Sequence, residues 1–487
     1  MTGARTARSR SVRFEFLAVW CPTVAFSLLI GLLAWAAHGW AAPVMFVAVV
    51  ALAAYYARVF GLRVGLVLLL IVTSFVDRYT FRVGSFDIRP EEVAGLGSLT
   101  VLAVAKVREG GSAWLRPSLA EALLLAWFAC NVAGSLLASP DKRLSLKILL
   151  LVGVCSLGFF LPRRLITGSQ GAENLEIVTR WLLIVFASEA TYGTLAYVLH
   201  VFGPTISITP NPASGHLSAY GTLWEQNVFG AVAAAGAVAW VYLGPDRFRH
   251  AWFGITTCMG GLIASLTRAA WLAAAIVGAI GLGLPGLRRR FDVRTLAIGL
   301  LGGLLVAVAV FVLDSLGNYT VAVPGLSGGT SHRGILAAIL NLTDFIGRLN
   351  QTGPVWADIH GRSLLFGRGT ASFEALNVIA GVHEHIASLP LLVLNDTGLI
   401  GVVVFACFIL AIGARAWRLR GAPTVVAFGQ MALIVGLTNL ATQTTELMIG
   451  WLLVGILLAA CDVASATSSG PVARPDRGRA DTGQSNL

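Results

Sequence analysis

Charge is scarce in this chain. Charged side chains make up 12% of its 487 residues against 56% hydrophobic ones, and a mean hydropathy of +0.78 is one that a water-soluble globule of this length has no use for. Cysteine is scarce as well. Cys21, Cys130, Cys155, Cys258, Cys407 and Cys461 lie in or beside apolar runs with no CxxC pair, which argues against a disulfide or zinc framework and leaves them as small core residues. There is no Walker-type phosphate loop, no soluble nucleotide-binding domain and no internal repeat, and the Gly-rich stretches are apolar, suited to close helix contacts. The net charge of +11 does not mark a nucleic-acid binder, because the basic residues fall in short clusters between apolar runs, where the positive-inside rule puts them.

What the chain has in abundance is long apolar runs. They recur at about 15 to 25 residues, the length that crosses a hydrocarbon core as helix, without the alternation of a barrel strand. The expected fold is all-α, a polytopic transmembrane bundle of about fourteen spans in a lipid bilayer. The spans fall near 16–37, 41–58, 62–76, 92–106, 119–137, 145–161, 178–202, 227–243, 251–266, 269–286, 295–313, 390–413, 424–441 and 446–461. The run from Phe16 to Ala37 follows a basic amino terminus but has no convincing cleavage site, so it reads as the first span.

With that basic terminus in the cytoplasm, the inner connections are "RVFGLR" (58–63), "KVREGGSAWLR" (106–116), "PRR" (162–164), "PDRFRH" (245–250), "LRRRFDVR" (287–294) and "RAWRLR" (415–420). Each is basic, which supports the orientation with both termini inside. The layout is then a cytoplasmic terminus at 1–15, spans one to eleven within 16–313, an extracytoplasmic loop at 314–389, spans twelve to fourteen within 390–463, and a disordered cytoplasmic tail at 464–487. The 314–389 segment is too long for a simple connector, and "HRGILAAILNLTDFIGRL" (332–349) has helical apolar spacing, so a helical cap over the outer face is expected.

Residues able to do chemistry concentrate toward that outer face. Ala251 to Gly286 holds one charge, Arg268, and is too long for one span, so it must turn near Thr267 and Arg268. An arginine there either grips an anion through its bidentate fork or snorkels to mark the turn. The outer loop adds Arg333, Arg348, Arg362 and Arg368, a basic set suited to a phosphate or pyrophosphate. In "LLFGRGTASF" (364–373), Gly367 and Gly369 are spaced for a tight turn whose N–H groups can approach a ligand. "VHEHIASLPLLVLNDTGLIG" (382–401) sets His383, Glu384 and His385 at the mouth of an apolar run. Its histidines are two apart, whereas a zincin helix needs them four apart, so no metal is expected. An imidazole or carboxylate here can take a proton from a sugar hydroxyl; the plainer reading is polar residues that end a helix.

Taken in order, these stretches resemble the bacterial O-antigen ligase and O-antigen polymerase superfamily of membrane glycosyltransferases. "GTLWEQNVFGAVAAAG" (221–236) is similar to that family's Gly…Asn-x-Phe segment, with Asn227 in the Asn position, and "LTRAAWLA" (266–273) to its Ser-Arg-Gly-Ala-Trp hairpin, with Arg268 as the arginine. "GRLNQTGPVWADIHGRSLLFGRGTASF" (347–373) resembles its Arg…Trp…Phe-Gly-x-Gly loop through Arg348, Trp356, Gly367 and Gly369, and residues 385–401 resemble its His…Glu-x-Gly-x-x-Gly motif through Asp396, Gly398 and Gly401. The family's His position falls on Ala387, so His385 fits only with a two-residue shift, and the base stays open among His385, Glu384 and His383.

The resemblance implies a GT-C-like bundle in the bacterial inner membrane and a metal-independent, inverting reaction needing no cofactor. A glycan would pass from a polyprenyl-diphosphate carrier to a glycan, lipid or other hydroxyl acceptor outside the cytoplasm. Arg268, Arg348 and Arg333 would hold the diphosphate, with Asn227, Trp356, Gly367, Gly369 and Asp396 in support. The competing class is a transporter or flippase of lipid-linked sugars, which would call for polar sites deeper in the membrane and paired broken helices. The sequence makes neither evident. A scaffold for envelope synthesis is a third class, in which none of these arginines matters to chemistry.

Overall fold

The computed structural model describes residues 41–83, 86–109, 117–200, 207–210, 217–223, 225–283, 293–316, 352–379, 382–383 and 385–468. The expected span at 16–37, the stretch 332–349 with Arg333 and Arg348, and Glu384 lie outside them, as does the chain beyond Ser468.

The described chain is dominated by helices: α1 (Ala41–Phe60), α2 (Leu62–Ser74), α3 (Pro90–Glu109), α4 (Leu119–Ala138), α5 (Lys142–Cys155), α6 (Leu157–Ile166), α7 (Gly171–His200), α8 (Gln226–Leu243), α9 (Ala251–Ala264), α10 (Arg268–Gly283) and α11 (Val293–Leu316). The short α12 (Thr352–Asp358), α13 (Arg362–Phe366) and α14 (Ser372–Leu376) follow, and then α15 (Leu389–Arg418), α16 (Pro423–Thr438) and α17 (Met448–Ser468). Antiparallel strand pairs interrupt them: β1 (Phe81–Val83) with β2 (Phe86–Ile88), β3 (Ile208–Pro210) with β4 (Leu217–Ala219), and β5 (Val378–Ile379) with β6 (Val382–His383). α17 runs through Ser468, past the expected boundary at 463, with the Ser465 and Thr467 hydroxyls bonded back to the Cys461 and Val463 carbonyls at 2.8 and 2.9 Å.

Six helical stretches among the described residues are long and apolar enough to cross a membrane: α4, the α5–α6 run, α7, α8, α15 and α17. Apolar side chains face outward on such helices, Leu137 at 82% and Leu410 at 69% exposure, as lipid-facing surfaces do. α8 is largely buried, packed by α7, α9, α10 and α16. Its sequence, QNVFGAVAAAGAVAWVYL, carries a central run of Ala and Gly, which lets neighbouring helices approach closely. At Gly236 a Cβ would lie 2.9 Å from the Phe186 side chain, so the helix contact there requires glycine.

The expected turn near Thr267 and Arg268 is present, with α9 and α10 parted at Ser265–Thr267. At one end of the bundle the basic connections are tied down. Arg163 reaches Glu121 at 2.8 Å and Asp462 at 2.6 Å, Arg164 and Arg415 close on the same two carboxylates, and Arg247 meets Glu176 at 2.5 Å. These pairs join the start of α4 to the finish of α6, tie α6 and α15 to α17, and fasten the start of α7 to the connection after α8.

Candidate functional site

The opposite end of the same helices is open. There a cavity of about 540 Å³ is lined by residues from five separate parts of the chain, among them Arg89, Lys147, Glu225, Asn227, His385 and Glu446. The volume is that of a small-molecule site, and the mixed charges around it suit a polar ligand.

Each wall has a local cause. Arg89 stands between β2 and α3 and donates from Nη1 to the Glu446 carbonyl at 2.6 Å, tying the α3 end to the connection before α17. Asn227 is held at the start of α8 by the segment before it. Thr222 donates from its backbone N and from Oγ1 to the two carboxylate oxygens of Glu189, each at 2.7 Å, and its hydroxyl also contacts the Phe75 carbonyl. Thr267 Oγ1 donates to the Gln226 carbonyl at 2.9 Å, which brings the α9–α10 turn against the same wall.

Below this cavity lies a joint built mainly from peptide groups. α15 is broken at Gly398 (φ 62°, ψ −166°). The break exposes carbonyls that a continuous helix would use itself: Asn395 O accepts from Arg368 N at 2.7 Å and Asp396 O from Gly369 N at 3.1 Å. Gly367 and Gly369 have φ of 75° and 87°, a left-handed conformation open to glycine, and at Gly398 a Cβ would sit 2.5 Å from the Gly367 nitrogen. α4 completes the joint: Ser135 Oγ accepts from Thr370 N at 3.0 Å, and Asn131 Oδ1 accepts from the Thr370 hydroxyl at 3.1 Å. A second cavity of about 20 Å³ lies here, room for one water, lined by Asp396, Glu374, Asn131 and Trp127. Gln443 and Glu446 line both cavities.

His385 stands just before the start of α15. Its Nδ1 is 3.4 Å from Glu374 Oε1. The Glu374 carboxylate, bonded to the ring, raises the imidazole pKa above its ordinary value against the opposing effect of burial, and Glu446 and Glu225 act in the same sense. Burial pushes the Glu446 carboxyl upward too, with Arg89 and His385 opposing.

The expected site residues do not all meet. His385 and Asn227 line the large cavity and Asp396 the small one. Arg268 begins α10 one residue past Thr267, beside the wall but outside the lining. Trp356 is 56% exposed on α12 and lines neither cavity. The 367–369 turn does not offer its N–H groups to a ligand: Gly367 donates to Ser363 O at 2.8 Å, and the next two donate to the break in α15. His383 lies in β6, and Arg333, Arg348 and Glu384 fall outside the described residues. Among the described residues no three His, Cys, Asp or Glu are grouped to hold a metal ion.

Sequence reasoning passed over Arg89, Lys147, Glu374 and Glu446. Lys147 carried a usable signal, a charge inside the expected span 145–161, since an ionisable residue within a span faces protein or a cavity. Glu446 closes the polar run "TNLATQTTE" between two apolar segments. Comparison with known protein families finds no family model that matches the chain, and comparison with curated proteins finds no significant relative.

Proposed function

We propose that the protein is a membrane glycosyltransferase similar to O-antigen ligases and polymerases. It transfers a glycan from a polyprenyl-diphosphate carrier to an acceptor hydroxyl at the large cavity. The observation that carries this reading is convergence. The 221–236 and 266–273 stretches are joined by the Thr267–Gln226 contact and the 364–373 and 385–401 stretches by the Gly369–Asp396 contact, and Asn227 and His385 bring one member of each pair to the same cavity. In this reading the ion-paired end is cytoplasmic, the cavity end faces outward in the bacterial inner membrane, and about fourteen spans form a GT-C-like bundle. The lipid tail lies against the spans while its head meets cations at the rim: Arg268 beside the wall, Arg89 and Lys147 within it. A base near the acceptor hydroxyl assists inversion at the sugar carbon, and cations offset the charge that develops on the departing diphosphate.

The test is incubation of purified protein with polyprenyl-diphosphate-linked glycans and hydroxyl acceptors, followed by mass analysis. A new glycosidic product is expected, reduced about 10²- to 10⁴-fold by His385→Ala and strongly by Arg268→Ala. Undiminished product from both folded variants would refute these roles; no product from any donor would sink the reaction class.

One observation favours the second reading, a flippase or transporter of lipid-linked sugars. α15 is broken within the bundle, with Asp396 buried beside the break, a feature the sequence did not make evident and one that transporters use. Movement of a labelled carrier across liposomes without glycosidic bond formation would establish that alternative.

A further inference from the structure

Glu374 and His385 are held as a pair from both flanks. Phe373 and Ile386, their immediate neighbours, are 2% and 0% exposed in one small apolar core with Val355, Ile359, Leu392 and Leu394. That core closes the 352–376 segment onto the start of α15 and so fixes the backbone on which each partner is carried. Glu374 is fixed further through α14, whose first residue, Ser372, accepts at Oγ from Asn395 Nδ2 at 2.9 Å. The partners differ sharply in exposure: the Glu374 side chain is 8% exposed and the His385 side chain 68%. A buried carboxylate thus backs an imidazole on the cavity wall, an arrangement in which one ring nitrogen is engaged and the ring orientation follows.

We infer that Glu374 is the positioning residue of a proton-accepting pair, engaging Nδ1 of His385 so that Nε2 serves the cavity as general base. The inference rests on the glycosyl-transfer reading above. In the step it implies, Nε2 takes the proton of the acceptor hydroxyl while that oxygen forms its bond to the anomeric carbon. The bond from this carbon to the carrier's phosphate oxygen breaks, and the diphosphate departs with the electron pair. The imidazolium left behind is offset by the Glu374 carboxylate, so the proton and the charge are both accounted for. Among the described residues, the other ionisable groups facing the pair are Asp396 beside Glu374 in the small cavity, Glu225 before α8, Glu446 before α17, and Asp87, Arg89 and Lys147 around the large cavity.

The sign of the pH effect distinguishes positioning from mere support. Neutral imidazole is the active form, so the transfer rate rises as pH passes upward through the His385 pKa. Glu374 raises that pKa, and Glu374→Gln therefore moves the rise to lower pH while reducing the plateau about ten- to a hundredfold. A purely structural role would lower the plateau and leave the midpoint in place. Two measurements decide. The first is the pH profile of transfer by full-length wild type, Glu374→Gln and Glu374→Asp. The second is NMR titration of 13C-labelled histidine in the same proteins without substrate, with His385→Gln to assign the resonance.

The expected result is a lower imidazole midpoint in Glu374→Gln, a matching move of the rate profile, and a near-normal midpoint in Glu374→Asp, which retains the charge. An unmoved imidazole titration overturns the pair whatever the transfer assay gives. A moved titration with an unmoved rate profile overturns its part in proton acceptance. Absence of transfer by the wild type sinks the glycosyl-transfer reading and the catalytic role with it, while the titration still reports on the pair. If Glu374→Gln does not fold, Glu374→Asp decides: a retained midpoint with a reduced plateau supports positioning, and an undiminished plateau overturns it.

Discussion

The two ends of the bundle use the same helices for opposite purposes. Where α4 begins and α6, α15 and α17 finish, the charges of Arg163, Arg164, Arg415, Glu121 and Asp462 are satisfied by one another. At the other end of those helices, Arg89, Lys147, Glu225, His385 and Glu446 surround a space of about 540 Å³. Both ends bury carboxylates, but only one leaves room between its charges. Charge closed upon itself fastens helices; charge arranged around a volume leaves a polar space. The contrast also explains why net charge is a poor guide to function here, since much of the arginine surplus lies in the fastening end.

Substitution at either end can break this comparison. The largest effect is expected from Gly367→Val, because its Cβ would fall on the Asp396 carbonyl while the backbone holds φ at 75°. The joint between loop and α15 could not close, and little monodisperse protein should be recovered by size-exclusion chromatography in detergent. Glu121→Ala comes next. It leaves two arginines without the carboxylate they share, at a cost of about 3–5 kcal/mol, visible as a lower thermal midpoint. Transfer per folded molecule should be unchanged; lost transfer at full stability would show that the ends are not separable in this way. The smallest effect is expected from Arg180→Ala. Its i,i+4 pair with Glu176 is 43% and 37% exposed, worth roughly 0.3–0.5 kcal/mol, and thermal unfolding should barely register the change.

The helical frame could be read from hydropathy because burial in lipid demands it of every span. The run at 227–243 became Gln226–Leu243, and 390–413 became the body of Leu389–Arg418. The break at Gly398 was not legible in that way. "NDTGLIG" reads as an apolar segment with polar residues in it, and nothing local shows that the carbonyls of Asn395 and Asp396 serve a loop close to thirty residues earlier in the chain. The site was legible where its chemistry sits in one stretch, as with His385 and Asn227. It was not legible where the candidate site depends on residues joined only by folding: Glu374 falls just past the 364–373 stretch, and Glu446 reads as the first residue of a span. Arg268 is a third case. Its rarity drew the eye, yet the turn sets it beside the cavity rather than in the lining.

The joint at Gly398 has an evolutionary corollary. Peptide N–H and C=O groups are common to nearly every residue, so the fastening of Arg368 and Gly369 to Asn395 and Asp396 has no memory of the side chain at 368. Drift can change that side chain without loosening the attachment, whereas a methyl group added at 367 or 398 would prise it apart. In chains that share this architecture, the glycines should therefore outlast the arginine between them.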